Sequence, residues 1–268
     1  MSEKGPQKQS DRAAPADWMA LVNEKCDLDL AFEALEGWNH FYTDTIRGRI
    51  RSLQLRPKEA TTFFDLSAER VDDFPNTLRN FLRRFYHRIY VFENAIIAES
   101  ESGGGDPKQT DRHLKDLMEM EIPETEIALQ TRQYHKGLFF LHRDKADEAK
   151  KCFLRIIRQS RERMGDEKTA YYIGAAAAHK QLDEDKEAEK QLEYASLYIP
   201  TLENTLNMGI YSATLSALLQ VWERPEEAQE WLDFLGRLKI PVKTRDVLLE
   251  RNRRITARSQ SLQRAFVF

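Results

Sequence analysis

Turn-forming residues are scarce in this 268-residue chain: 11 glycines and 9 prolines are too few for an all-β fold, which spends them on frequent tight turns. The two cysteines, Cys26 and Cys152, lie far apart and in no CxxC or zinc spacing. That pattern gives no disulfide framework or metal knuckle, and it fits a reducing compartment. No run approaches the roughly 18 apolar residues of a membrane span, and residues 1–15 lack the apolar core of a signal peptide. A cytoplasmic protein without a membrane span is expected. A formal net charge of −3 and a pI near 6.1 argue against a surface that is basic throughout.

Catalytic signatures are missing as well. The histidines are His40, His87, His113, His135, His142 and His179, and none has an acidic residue three positions before it, so the Glu-x-x-His of di-iron bundles is absent. There is no HExxH and no Gly-x-Ser-x-Gly. Gly103-Gly-Gly105 lacks both the preceding strand and the following Lys-Ser/Thr of a phosphate loop. His135 and His142 stand seven residues apart, on one helix face but too far from each other to share a metal without a third element. Nothing here implies an enzyme, a metal or a cofactor.

What the chain does have is helical periodicity and charge, with 32% of residues charged. Residues 1–16 are polar and expected to be disordered. From Asp17 apolar residues recur at helical intervals to Leu53, with a break at 26–29, and the Arg56-Pro57 step ends that helix. Helices over 58–70 and 74–99 complete an expected N-terminal bundle, 17–99, in which no repeat is evident. The Gly-rich stretch 100–107 reads as a linker and domain boundary. Beyond it an array is expected over 108–242, then a C-terminal capping helix and tail over 243–268. The strip 93–126 carries 10 acidic and 3 basic residues, whereas 243–264 carries 7 basic and 2 acidic. The two segments are therefore candidates to attract one another.

Within the array, Gly137, Phe140, Ala149 and Phe153 recur as Gly174, Ala177, Ala188 and Leu192, and more weakly as Ser216, Leu219, Ala228 and Leu232. Small residues let two antiparallel helices approach closely, and larger ones fill the space beside them. The pattern resembles the tetratricopeptide repeat family over 124–241. The resemblance implies an all-α solenoid of about three helical hairpins that binds proteins or peptides on its concave face. Ala149, Ala188 and Ala228 are 39 and 40 residues apart, longer than the family's roughly 34. A helical hairpin array of separate descent would show the same periodicity. The lysine and asparagine pattern with which such arrays clamp a C-terminal carboxylate is missing, since Lys168 stands nearly alone.

A second recurrence suggests where a partner binds. Tyrosine falls three residues before, and histidine five after, both Gly137 and Gly174: Tyr134 and His142, then Tyr171 and His179. With Leu138 or Ala175 between them and Thr131 or Lys168 one turn earlier, they form a candidate ladder for an extended peptide. In the family, that face of the first helix lines the groove. The expected function is a non-enzymatic interaction scaffold with a protein or peptide partner, able to self-associate through its bundle. The alternative is a nucleic-acid-associated regulator. Its contacts would be Arg79, Arg83, Arg84 and Arg88, interleaved with aromatics, and Arg251, Arg253, Arg254 and Arg258.

Overall fold

The computed structural model describes residues 17–38, 40–100, 104–121, 125–160 and 166–262. All regular structure among them is helical, as the composition predicts. The tail 1–16 and the last residues, 263–268, lie outside the described residues.

Three short helices replace the long one expected at the start: α1 (Asp17–Asn23), α2 (Leu28–Glu33) and α3 (Phe41–Leu53). The break at 26–29 is present, with Cys26 at φ 53° and Asp27 capping α2 through Leu30 N at 3.0 Å. A further break arises because Gly37 takes φ 75° and His40 Nδ1 accepts from Tyr42 N at 3.0 Å, capping α3. There follow α4 (Pro57–Arg70), α5 (Leu78–Glu99), α6 (Pro107–Glu119), α7 (Glu126–His142), α8 (Ala146–Gln159), α9 (Asp166–Gln181) and α10 (Asp185–Tyr198). The last are α11 (Thr205–Val221), α12 (Pro225–Arg237) and α13 (Val242–Leu262). Prolines begin α4, α6 and α12, where the missing N–H is one that no helix would have used.

Four hairpins share one turn. Leu55, Asp144, Asp183 and Glu223 all adopt φ between 57° and 60°. The next amide in each case reaches back five residues: Arg56 to Arg51, Lys145 to Phe140, Glu184 to His179 and Arg224 to Leu219, at 2.8–3.0 Å. This is the left-handed helix stop that closes orphan carbonyls. Counting from it, the fifth residue on is alanine every time: Ala60, Ala149, Ala188 and Ala228, each at most 1% exposed. The ninth is Phe64, Phe153, Leu192 and Leu232, and the seventh before is Gly48, Gly137, Ala176 and Ser216. The hairpin α3/α4 therefore carries the pattern in a segment where the sequence showed no repeat.

This register also explains two of the glycines. Phe153 is fully buried, and its ring lies between α7 and α9. A Cβ at Gly137 would stand 2.8 Å from that ring and one at Gly174 would stand 2.6 Å from it. Gly174 thus faces the preceding hairpin, while Gly137 faces its own.

The first helices of successive hairpins, α3, α5, α7, α9 and α11, and then α13, each touch the next. The row closes on itself. Val22, Leu28, Ala31, Ile46 and Ile50 of α1–α3 share one apolar cluster with Leu206, Ala213, Leu235 and Leu248 of α11–α13. Thr244 Oγ1 donates to Cys26 O at 2.6 Å, and Lys243 pairs with Asp29 at 3.1 Å. A smaller cluster, Phe85, Ile89, Leu117 and Ala128, joins α5, α6 and α7. The boundary expected at 100–107 is thus spanned by apolar packing on both sides, and α13 is held between α11 and the N-terminal helices as well as covering the array. Consequently α9 is buried at every position from Lys168 to His179. Its short, nearly non-amphipathic run Gly174-Ala-Ala-Ala-Ala178 suits a helix with neighbours all round.

Candidate functional site

The inner helices bring together residues far apart in sequence. Arg49 of α3 forms an ion pair with Glu93 of α5. The other Glu93 oxygen meets His135 Nε2 of α7 at 2.9 Å, while His135 Nδ1 meets the Thr131 carbonyl at 2.7 Å. Burial alone would raise the Glu93 carboxyl, but Arg49, the His135 hydrogen bond and the nearby Arg251 of α13 outweigh it and hold it at about 2. Arg251 is itself held below its ordinary value, chiefly by burial and then by Arg49. The Arg49 guanidinium lies 4.8 Å from the Tyr90 ring centroid. A second clasp lies six residues further along α5. Glu99 accepts from Arg143 at 2.7 and 3.0 Å and meets His142 Nε2 at 2.7 Å.

These two carboxylates are the partners of the two histidines noted in α7. Six residues along α5 and seven along α7 rise by about 9 and about 10.5 Å, so the two pairs form at matching heights on the two helices. The acidic strip and the histidine pair were both visible in the sequence. Their pairing was not, because it depends on which helix faces which.

The expected ladder is distributed differently from an exposed groove. Lys168, Tyr171, His142 and His179 are each no more than 8% exposed, Leu138 is 2% exposed and Ala175 is fully buried. Tyr134 is partly buried, its ring 5.4 Å from Tyr171 and 5.9 Å from Phe153. Thr131 bonds back to Ile127 O, His179 Nδ1 meets Glu184 of its own hairpin turn at 2.6 Å, and Lys168 lies over the Tyr198 ring. The reason is register. The tyrosine and histidine recur at 37 residues, whereas the turns of these two hairpins recur at 39 (144 to 183). A two-residue offset is about 200° around a helix. His142 accordingly faces α5 and His179 faces its own turn.

No protein-family model, curated protein or solved structure matches the chain.

The space left on the inner face is small. A cavity of about 40 Å³ is lined by Tyr134, Gly174, Tyr211, Thr214 and Arg251 among others, enough for about three water molecules. No group of three or more potential metal ligands from His, Cys, Asp and Glu occurs among the described residues. Both cysteines are free and buried, and burial pushes the Cys26 thiol up to about 11, away from nucleophilic use.

Most of the arginines proposed for phosphate contact are committed elsewhere. Arg84 donates to the carbonyls of Val71 and Phe74, Arg83 donates to Asn80 and lies 3.0 Å from His40 Nε2, and Arg253 and Arg254 pair with Glu250. Arg258 reaches Ser100 O, and Arg88 pairs loosely with Asp116 at 3.6 Å. The basic segment of α13 and the acidic strip do meet, through Arg251 and Arg258.

Among the described residues, one apolar surface is left exposed. On the N-terminal half of α5, Leu78, Leu82 and Tyr86 are 68%, 39% and 38% exposed. They lie four residues apart, on one helix face. On the same helix Phe85, next to Tyr86, and Ile89 and Phe92 further along are core. The exposed face is flanked by Arg79, also exposed. No described helix is long and apolar enough to cross a membrane.

Proposed function

We propose that the protein is a non-catalytic interaction scaffold, built on hairpins of the tetratricopeptide type, whose partner docks on the Leu78-Leu82-Tyr86 face of α5. The single observation that carries this reading is that stripe: three large apolar side chains spaced four residues apart over two helical turns, exposed on a helix whose Phe85, Ile89 and Phe92 are core. The inner face is served by the chain itself, with α5 and α13 supplying the carboxylates and arginines that answer the histidines and tyrosines of α7. A stripe of this length, about 12 Å, suits one amphipathic helix of a partner protein. The basic flank at Arg79 favours acidic residues beside that helix's apolar face.

The test places a photo-crosslinking residue at Tyr86 and, as a control, at Leu197, which is 64% exposed on α10. Crosslinks to a discrete partner are expected from position 86 and not from 197. They should vanish when Leu78→Asp and Leu82→Asp are added, with helicity and melting unchanged. Equal crosslinking from both positions, or persistence in the double variant, overturns the assignment.

A further inference from the structure

A separate cavity of about 130 Å³ lies between α4, α5 and α6, away from the inner face and the α5 stripe. One of its walls is His87, which is 5% exposed. The hydrogen bonds behind it fix the ring. Ser67 Oγ donates to Phe41 O at 2.9 Å, so Thr45 Oγ1, 2.6 Å away, donates to Ser67. With its own proton committed, Thr45 Oγ1 accepts from His87 Nδ1 at 3.0 Å. Neutral imidazole carries one N–H, so His87 Nε2 is left as a lone-pair acceptor. No hydrogen bond reaches that nitrogen from any described residue.

Asn94 stands two turns further along the same face of α5 and is 3% exposed. Its amide nitrogen donates to Pro57 O and Thr61 Oγ1, both at 3.1 Å. A proline carbonyl can only accept, which fixes the amide orientation and leaves Oδ1 as an acceptor with no partner. Buried acceptors without partners are uncommon and costly. Asn94 Oδ1 is one such atom and is shut off from the cavity, whereas His87 borders the cavity with its Nε2 lone pair unused. Asp65 and Asp106 border the cavity opposite a single guanidinium, Arg88, which is itself paired with Asp116. Phe64, Val91 and Ala95 supply apolar wall.

We propose that this cavity binds a small hydrogen-bond-donating organic cation, a primary amine or a guanidine on a short apolar stem, with His87 Nε2 as its acceptor. The charged head engages His87 Nε2 and the stem lies along Val91 and Ala95. The volume sets the size, since a cavity of roughly 150 Å³ holds one benzene. Anions are disfavoured by the lone pair and carboxylates that line the space.

The experiment uses the whole protein with ¹⁵N-labelled histidine and the probes n-butylguanidine and n-butylamine, against butyrate and n-butanol as matched controls. In the free protein, the His87 Nε2 resonance should have the shift of an unprotonated imidazole nitrogen. Either cationic probe should move it, saturating with a dissociation constant in the millimolar range, roughly that of a fragment this small. Ala95→Leu, which fills the cavity and leaves every polar group in place, should weaken binding at least tenfold while the melting temperature holds. Three results overturn the proposal: a protonated Nε2, an equal response to butyrate or butanol, or no His87 response to either cation up to about 50 mM. A response to Zn²⁺ alone, through His87 and the neighbouring His113, would also overturn it, by assigning the pair to a metal.

Discussion

Replacing Gly174 by alanine tests the packing at the centre of the hairpin row. The new Cβ would stand 2.6 Å from the Phe153 ring. That ring is fully buried and is blocked on its far side by Gly137, where a Cβ would lie 2.8 Å away. Overpacking a core of this kind costs about 1–3 kcal/mol. The helix gains up to about 1 kcal/mol from exchanging glycine for alanine, so a net loss of about 1–2 kcal/mol is expected. At roughly 2–4 °C per kcal/mol for a chain of this size, Gly174→Ala and Gly137→Ala should each melt about 2–8 °C below wild type. Gly48 makes the contrast. A Cβ there is also 2.6 Å from a ring, that of Phe64, but Phe64 borders the 130 Å³ cavity and can yield, so Gly48→Ala should be close to neutral. At Gly236 an added Cβ would meet nothing within 4 Å, and the same change there should gain a few tenths of a kcal/mol. Urea denaturation followed by circular dichroism, with unchanged m-values, reads all four. If Gly174→Ala and Gly137→Ala prove as stable as wild type, the sandwich of Phe153 between two helices is wrong.

Three further outcomes follow from the same geometry. Glu93 is held at about 2, below the ordinary carboxylate range, so its stabilisation is complete above about pH 4.5 and is lost as pH falls toward 2. At about 1.4 kcal/mol per pH unit this amounts to roughly 3 kcal/mol, and acid melts of Glu93→Gln should lack that portion of the slope. His87 is pushed down to about 4, first by burial and then by Arg88 and His113. Stability tied to it is therefore complete above about pH 6.5 and declines as pH drops from there to 4, which histidine NMR titration against stability should show as one event. Glu223 is exposed and sits at φ 60°, so Glu223→Gly should stabilise by up to about 1 kcal/mol, measured by the same melts.

Helix content and most helix ends could be read from the sequence, because periodicity, capping residues and prolines act locally. The 39- and 40-residue spacing of Ala149, Ala188 and Ala228 could be read too, and the hairpin turns keep it. What misled was the choice of anchor. Gly137 and Gly174 look equivalent, yet both accommodate the same ring, and only the left-handed turn residues fix the true register. Those residues are Leu55, Asp144, Asp183 and Glu223, none of them the glycine that usually marks such a turn. For the same reason the α3/α4 hairpin went unseen, although Gly48, Ala60 and Phe64 stand in it at the spacings of Gly137, Ala149 and Phe153. Closure of the row was beyond local reasoning. It depends on Ile46 and Ile50 joining one apolar cluster with Ala213 and Leu248, residues more than 160 positions apart.

Closure is tested most directly by cutting the chain where two domains were expected to part. A protease site placed between Ser100 and Gly104 allows the purified protein to be cleaved into its 17–99 and 108–242 portions with their flanking residues, then studied by size exclusion and thermal melting. If α1–α3 seal onto α11–α13, the two fragments will co-elute and unfold in one transition, separating only in denaturant. Fragments that part on the column, each with its own cooperative melt, would contradict the closed row and restore two independent units.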